Sequence, residues 1–128
     1  MILDASALLA LLTGDAAAQK LAATIAAARI AATSHAEVVG YFARSGMPAE
    51  AIDAMLGTLP LAVIPVEAAL ARRAGMLRAL PAAAELPLED RVCAALALDL
   101  RAPLITANRA WLERSVAELR VEVLGIPA

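Results

Sequence analysis

Five short apolar runs, Met1–Leu3, Arg29–Thr33, Leu59–Pro65, Pro103–Thr106 and Val121–Leu124, alternate with stretches of helical spacing. Short strands separated by helices specify a parallel α/β sheet, because parallel neighbours need a crossover connection and a helix provides one. The first strand leads into a helix through Ser6 to Leu12. Thr13, Gly14 and Asp15 break that helix and cap another over Ala16 to Ala28. Further helices are expected from Ser34 to Arg44, Pro48 to Leu56, Val66 to Leu80, Leu88 to Arg101 and Asn108 to Ser115. Pro81 to Pro87 reads as a loop. With 128 residues, no repeat and no linker, the chain is expected to form one α/β domain over residues 1–128. Its central sheet should be mostly parallel, with four to five strands flanked by helices.

Composition narrows the setting. The hydrophobic content is 62%, but alanine supplies much of it, and no apolar run approaches the ~20 residues of a spanning helix. The start carries an acid at Asp4 and no basic segment, unlike a signal peptide. A single cysteine, Cys93, excludes an internal disulfide and fits a reducing cytoplasm. A net charge of −2 argues against a basic nucleic-acid coat, so any contact with nucleic acid is local. The basic residues are arginines apart from Lys20, and arginine grips phosphate bidentately.

Four polar residues stand where the elements change character: Asp4, Glu37, Asp90 and Asn108. In a parallel α/β sheet the strand-to-helix junctions share the carboxyl edge, where ligands bind. Residues distant in sequence would therefore meet in one acidic pocket. Clustered carboxylates repel one another and call for a cation, and hard oxygen ligands suit Mg²⁺ or Mn²⁺. Asp90 shares its helix face with Cys93, Ala94 and Ala97, which turns it toward the protein body, where a carboxylate needs a partner. Each member also has an ordinary explanation. Asp4 and Asn108 are good N-caps. Ser34 and Glu37 have the spacing of a capping box. Glu89 and Asp90 suit the positive end of a helix. Glu67, at another helix start after a strand, meets the same geometric criterion, and Ser6 and Thr106 are candidate hydrogen-bonding neighbours.

Met-Ile-Leu-Asp-Ala-Ser-Ala-Leu-Leu-Ala-Leu-Leu at the start, Ser-His-Ala-Glu-Val-Val-Gly at 34–40, Leu-Glu-Asp-Arg-Val-Cys-Ala-Ala-Leu-Ala at 88–97 and Leu-Ile-Thr-Ala-Asn-Arg-Ala-Trp at 104–111 form an ordered set. Together they resemble PIN-domain proteins, and among these the VapC-type toxins of type II toxin–antitoxin pairs. The resemblance spans the chain. It implies a PIN-like fold, a Mg²⁺- or Mn²⁺-dependent endoribonuclease, and an acidic set falling on Asp4, Glu37 and Asp90. It also implies an RNA substrate, a small antitoxin partner and a homodimer. The family's usual fourth acid falls on Asn108, so Asn108 is expected to serve at most as an uncharged auxiliary to the metal. Glu67 matches no motif acid.

Metal-free RNA cleavage usually needs a general acid and base near neutral pKa, most often two histidines. This chain has only His35, two residues from Glu37 and so on a different helix face. Metal-assisted hydrolysis fits better, because a held cation activates water and stabilises charge on phosphate oxygens. Arg91 and Arg109 flank site residues and are the candidate RNA contacts, with solvated surface charges as their ordinary reading. Cys93 and Trp111 read as core residues. The alternative function is a PIN-like RNA-binding or regulatory module that lost turnover through Asn108. An unrelated phosphatase or receiver domain is disfavoured, since no Asp-x-Asp pair follows the first strand and no lysine lies near the fourth. The Ala/Leu-rich early helices offer a partner or dimer surface, or else ordinary core.

Overall fold

The computed structural model describes residues 1–126. In chain order the elements are β1 (Ile2–Leu3), α1 (Ala5–Leu12), β2 (Arg29–Ala31), α2 (Ala32–Arg44), α3 (Ala49–Gly57), β3 (Ala62–Ile64), α4 (Ala68–Met76), α5 (Leu88–Leu100), β4 (Leu104–Thr106) and β5 (Val121–Val123). The strands form one sheet of order β3-β2-β1-β4-β5, parallel at every pairing. The single-domain α/β architecture is the one the sequence implies, with five strands.

Register explains the layering. Leu3 pairs with Ile30 and Ile105, and these three point to the face covered by α1, the Ala16–Ala27 region, α2 and α3. Ile2 and Leu104, one residue earlier on their strands, point to the face covered by α4 and α5. All five side chains are buried, as expected for a parallel sheet covered on both sides. Each contributes about 1.5–3 kcal/mol of hydrophobic stabilisation. Helix α5 is buried continuously from Asp90 to Ala97. A helix enclosed on all sides must be apolar nearly all round, and the small Cys93, Ala94, Ala95 and Ala97 let α4 and the sheet approach closely.

Three expectations shift. Ala16 to Ala28 is two 3₁₀ segments, Ala16–Ala23 and Ile25–Ala27, rather than one α-helix. Its buried residues are Ala18, Leu21, Ile25 and Ala28. The two triplet spacings suit 3₁₀ geometry, in which i and i+3 eclipse. The Asn108 helix is likewise a 3₁₀ turn, Arg109–Glu113. Finally, α2 begins at Ala32, so Ser34 lies inside the helix, fully buried, and forms no capping box with Glu37.

The strand order fixes the place of the site. From β1 the chain moves outward to β2 and β3, then returns to β4 on the other side of β1. Such a reversal opens a crevice at the carboxyl ends of the two central strands, here β1 and β4. Asp4 follows the first of these and Asn108 the second.

Candidate active site

Asp4 is both helix cap and site residue. Its extended backbone ends β1, and its Oδ1 accepts from the Ala7 N–H at 2.9 Å, capping α1. The same oxygen accepts from Ser6 Oγ at 2.7 Å, while Oδ2 accepts from Thr106 Oγ1 at 2.5 Å. Ser6 Oγ in turn accepts from the Ala107 N–H, and Thr106 Oγ1 from the Asn108 N–H. Each hydroxyl spends its one proton on Asp4, so the 3.2 Å approach of Ser6 to Thr106 is a contact rather than another hydrogen bond. Together these bonds lock the Asp4 carboxylate across the β1–β4 seam. Burial nevertheless raises its pKa above the usual carboxylate range. The Thr106, Ser6 and Ala7 donors oppose that shift, and repulsion from Asp90 adds to it.

The N-terminus of α5 supplies two more acids. Asp90 is buried and pairs with Arg114 at 3.2 Å, and the Arg114 guanidinium also lies 5.3 Å from the Trp111 ring centre. Glu89 reaches across to α2, where Ser34 Oγ donates to its Oε1 at 2.5 Å. Burial lifts the Glu89 carboxyl to about 7, with Ser34 opposing the rise and Asp90 and Asp4 adding to it. Cys93 Sγ lies 3.0 Å from Ser34 Oγ, and its thiol also donates to Glu89 Oε1 at 3.6 Å. Burial pushes the Cys93 pKa up and keeps that proton in place, so the thiol is a core group and not a nucleophile.

Asp4, Glu37, Glu89, Asp90 and Asn108 line one cleft of about 780 Å³. Glu37 is exposed on α2, and the same helix wall continues through Gly40, Tyr41 and Arg44. Asn108 is exposed as well, and its Oδ1 accepts from the Ala110 N–H at 3.0 Å, so it caps its own 3₁₀ turn as the ordinary reading expects.

The arginine expectations divide. Arg109 is exposed beside Asn108. Arg91 is not placed for RNA and is not a solvated surface charge. It is 9% exposed, and its guanidinium donates to the Leu86 and Ala74 carbonyls, tying α5 to α4 and the preceding loop. The reason is the all-round burial of α5, which leaves Arg91 no route to the cleft. Trp111 is buried in the core, as expected. His35 and Glu67 do not line the cleft.

Glu89 and the Tyr41–Arg44 wall went unread in the sequence. In the sequence the helix dipole alone accounts for Glu89, and its contact with Ser34 spans 55 positions. Tyr41 and Arg44 follow Glu37 at i+4 and i+7, a spacing that places them on the same helix face.

The donor set suits a hard divalent cation: oxygen ligands, two of them pressed toward protonation by burial and mutual repulsion, with Arg114 compensating only Asp90. Among the described residues no three acids, histidines or cysteines come close enough together to hold a metal ion by themselves.

Residues 1–116 match the family model described as the PIN domain. A chain of a toxin–antitoxin complex from Klebsiella pneumoniae is 20% identical, with 95% of each chain covered and a TM-score of 0.70. A chain of VapBC2 from Rickettsia felis, solved bound to a DNA fragment from their promoter, is 17% identical, with 96% of this chain and 97% of that one covered and a TM-score of 0.69. At such identities the likeness is one of fold. No curated protein matches the chain. PIN domains are generally nucleases that use divalent metal ions. With the family match over nearly its whole length and acids gathered at the β1–β4 crevice, this chain belongs to the PIN-domain family.

Proposed function

We propose that residues 1–128 form one PIN-like domain acting as a VapC-type toxin, a cytoplasmic endoribonuclease that hydrolyses RNA phosphodiester bonds with Mg²⁺ or Mn²⁺. The observation that carries this reading is Asp4, held rigid by three donors at the switch point and facing Asp90 and Glu89 in an open cleft.

Asp4 and Asp90 are assigned to hold the cation, with Glu37 on the α2 wall of the cleft as a further ligand or the base that orients the attacking water. Ser6 and Thr106 position Asp4. When bound, the metal lowers the pKa of a water and stabilises charge on the phosphate oxygens. Empty of metal, the acidic cleft repels phosphate, so the cation also admits the substrate. Arg109, exposed at the crevice rim, is assigned to the RNA backbone. The test is cleavage of single-stranded RNA with Mg²⁺ or Mn²⁺ and its loss on chelation.

One observation favours the binding-module alternative: position 108 brings an amide already engaged as a cap. Aspartate would cap equally well and add a charge. Asn108→Asp is therefore expected to lower the Mn²⁺ concentration for half-maximal cleavage several-fold. Superimposable titrations would show that position 108 does not touch the metal. RNA binding without turnover in either protein would establish the binding module.

The partners are proposed as a small antitoxin and a second copy of the chain. The support is the fold shared with chains of two toxin–antitoxin complexes. The leucines of α1 lend less support than the sequence implied: Leu8 is buried, and Leu9, Leu11 and Leu12 pack against the core. Light scattering at high micromolar concentration is expected to give twice the mass of the chain, and a monomer would remove the dimer.

A further inference from the structure

The wall of the cleft along α2 carries a feature that the acidic centre does not use. Glu37, Tyr41 and Arg44 follow one another up a single helix face, spanning roughly 10 Å at 1.5 Å per residue. Tyr41 is the only tyrosine of the chain and is 50% exposed, although aromatic residues are otherwise scarce. Its ring makes a T-shaped contact with the buried Phe42, with centroids 5.1 Å apart and planes at 88°, and its exposed part lines the cleft. Gly40 beside it has nothing within 4 Å of where a Cβ would stand, so the wall is open there too. One turn on, Arg44 is exposed and has no carboxylate partner among the described residues.

Resting on the ribonuclease reading above, we propose that Tyr41 and Arg44 form a single-strand clamp: Tyr41 stacks on an unpaired base next to the scissile phosphate, and Arg44 grips the following phosphate. A ring with a free face recognises a base only when that base is unpaired, and stacking of this kind tolerates any base. Guanidinium without an internal carboxylate is free to bind phosphate bidentately. The charges run in the required order along the wall, from the acids assigned to the cation to the lone guanidinium of Arg44 one nucleotide or more away. The clamp makes the substrate single-stranded RNA and leaves sequence preference weak at that base.

The test is fluorescence anisotropy with Mg²⁺ and a labelled single-stranded 12-nucleotide RNA whose phosphorothioate linkages resist cleavage, in the chain with Asp4 intact. Tyr41→Ala is expected to weaken binding about 5- to 150-fold, while Tyr41→Phe, which keeps the ring, stays within about twofold. Arg44→Gln is expected to weaken binding and to lower the slope of log affinity against log salt by about 0.7, one single-strand phosphate contact. The same RNA annealed into a duplex should bind more weakly and be insensitive to Tyr41→Ala. Unchanged affinity in Tyr41→Ala and Arg44→Gln overturns the clamp while leaving the nuclease reading intact, provided the parent protein cleaves RNA. If those variants instead lose only a co-expressed partner protein, the wall is a protein contact and the clamp is wrong. A parent that neither binds nor cleaves RNA overturns both.

Discussion

Asp4→Asn is expected to reduce metal-dependent RNA cleavage at least a hundredfold while leaving the domain folded. The loss follows from removing one negative ligand, since a metal contact of this kind is worth several kcal/mol in the transition state. Survival of the fold follows from the hydrogen bonds. An asparagine Oδ1 still accepts from the Ala7 N–H and Ser6 Oγ, and its Nδ2 can donate to Thr106 Oγ1. The Thr106 proton is then free for Ser6 Oγ, already 3.2 Å away. Asp4→Ala differs: it removes the cap and strands both hydroxyls, costing about 0.5–2 kcal/mol for the cap alone. The raised pKa of Asp4 fixes a further sign. The folded state holds its proton longer than the unfolded chain, so stability falls as pH rises past the ordinary carboxylate range. Metal-free Asp4→Asn is therefore expected to melt at or above the parent temperature at pH 8, and Asp4→Ala below Asp4→Asn. Cleavage by Asp4→Asn within tenfold of the parent at matched Mn²⁺ would refute the assignment of Asp4 to the metal.

Much of this was legible from residue order, for physical reasons that also mark where legibility ends. Strands that alternate with helices force a parallel sheet, and a parallel sheet puts its junction residues on one edge; that is why Asp4 and Asn108 could be placed there. Asp90 was placed by its small apolar neighbours, which turn it inward. At the start of α2 the β-branched Thr33 favours a strand, whereas β2 ends at Ala31, which pairs with Ile64, and the helix already begins at Ala32. That slip of two residues hid the role of Ser34, which lies one turn inside the helix and reaches Glu89 rather than capping with Glu37. The burial of Arg91 escapes the sequence for the opposite reason. Its neighbours Asp90 and Val92 are also buried, and a helix enclosed on every side carries no amphipathic signal to separate its faces. The alanine-rich stretch after Asp15 favours an α-helix by propensity, but packing of Ala18, Leu21, Ile25 and Ala28 decides for 3₁₀ turns.

Glu89 gives the pH dependence of the metal-free protein. With the Glu89 carboxyl lifted from 4.5 to about 7, the folded chain binds one proton more than the unfolded chain between those values. The stability tied to that proton is fully present below about pH 4.5 and is lost as pH rises through about 7. Glu89 is only partly buried, so solvent screening limits the loss to about 1–2 kcal/mol. Glu89→Gln keeps an acceptor for Ser34 Oγ and removes the titration. In denaturant melts without metal it is expected to match the parent near pH 4.5 and to exceed it by about 1–2 kcal/mol at pH 8. Saturating Mg²⁺ should shrink that gap, because a cation in the cleft favours the ionised carboxylates it sits among and binds only the folded state. Parallel stability curves for parent and variant from pH 4.5 to 8 would show that Glu89 is ionised at ordinary carboxylate pH, and that Asp4 and Asp90 do not press upon it.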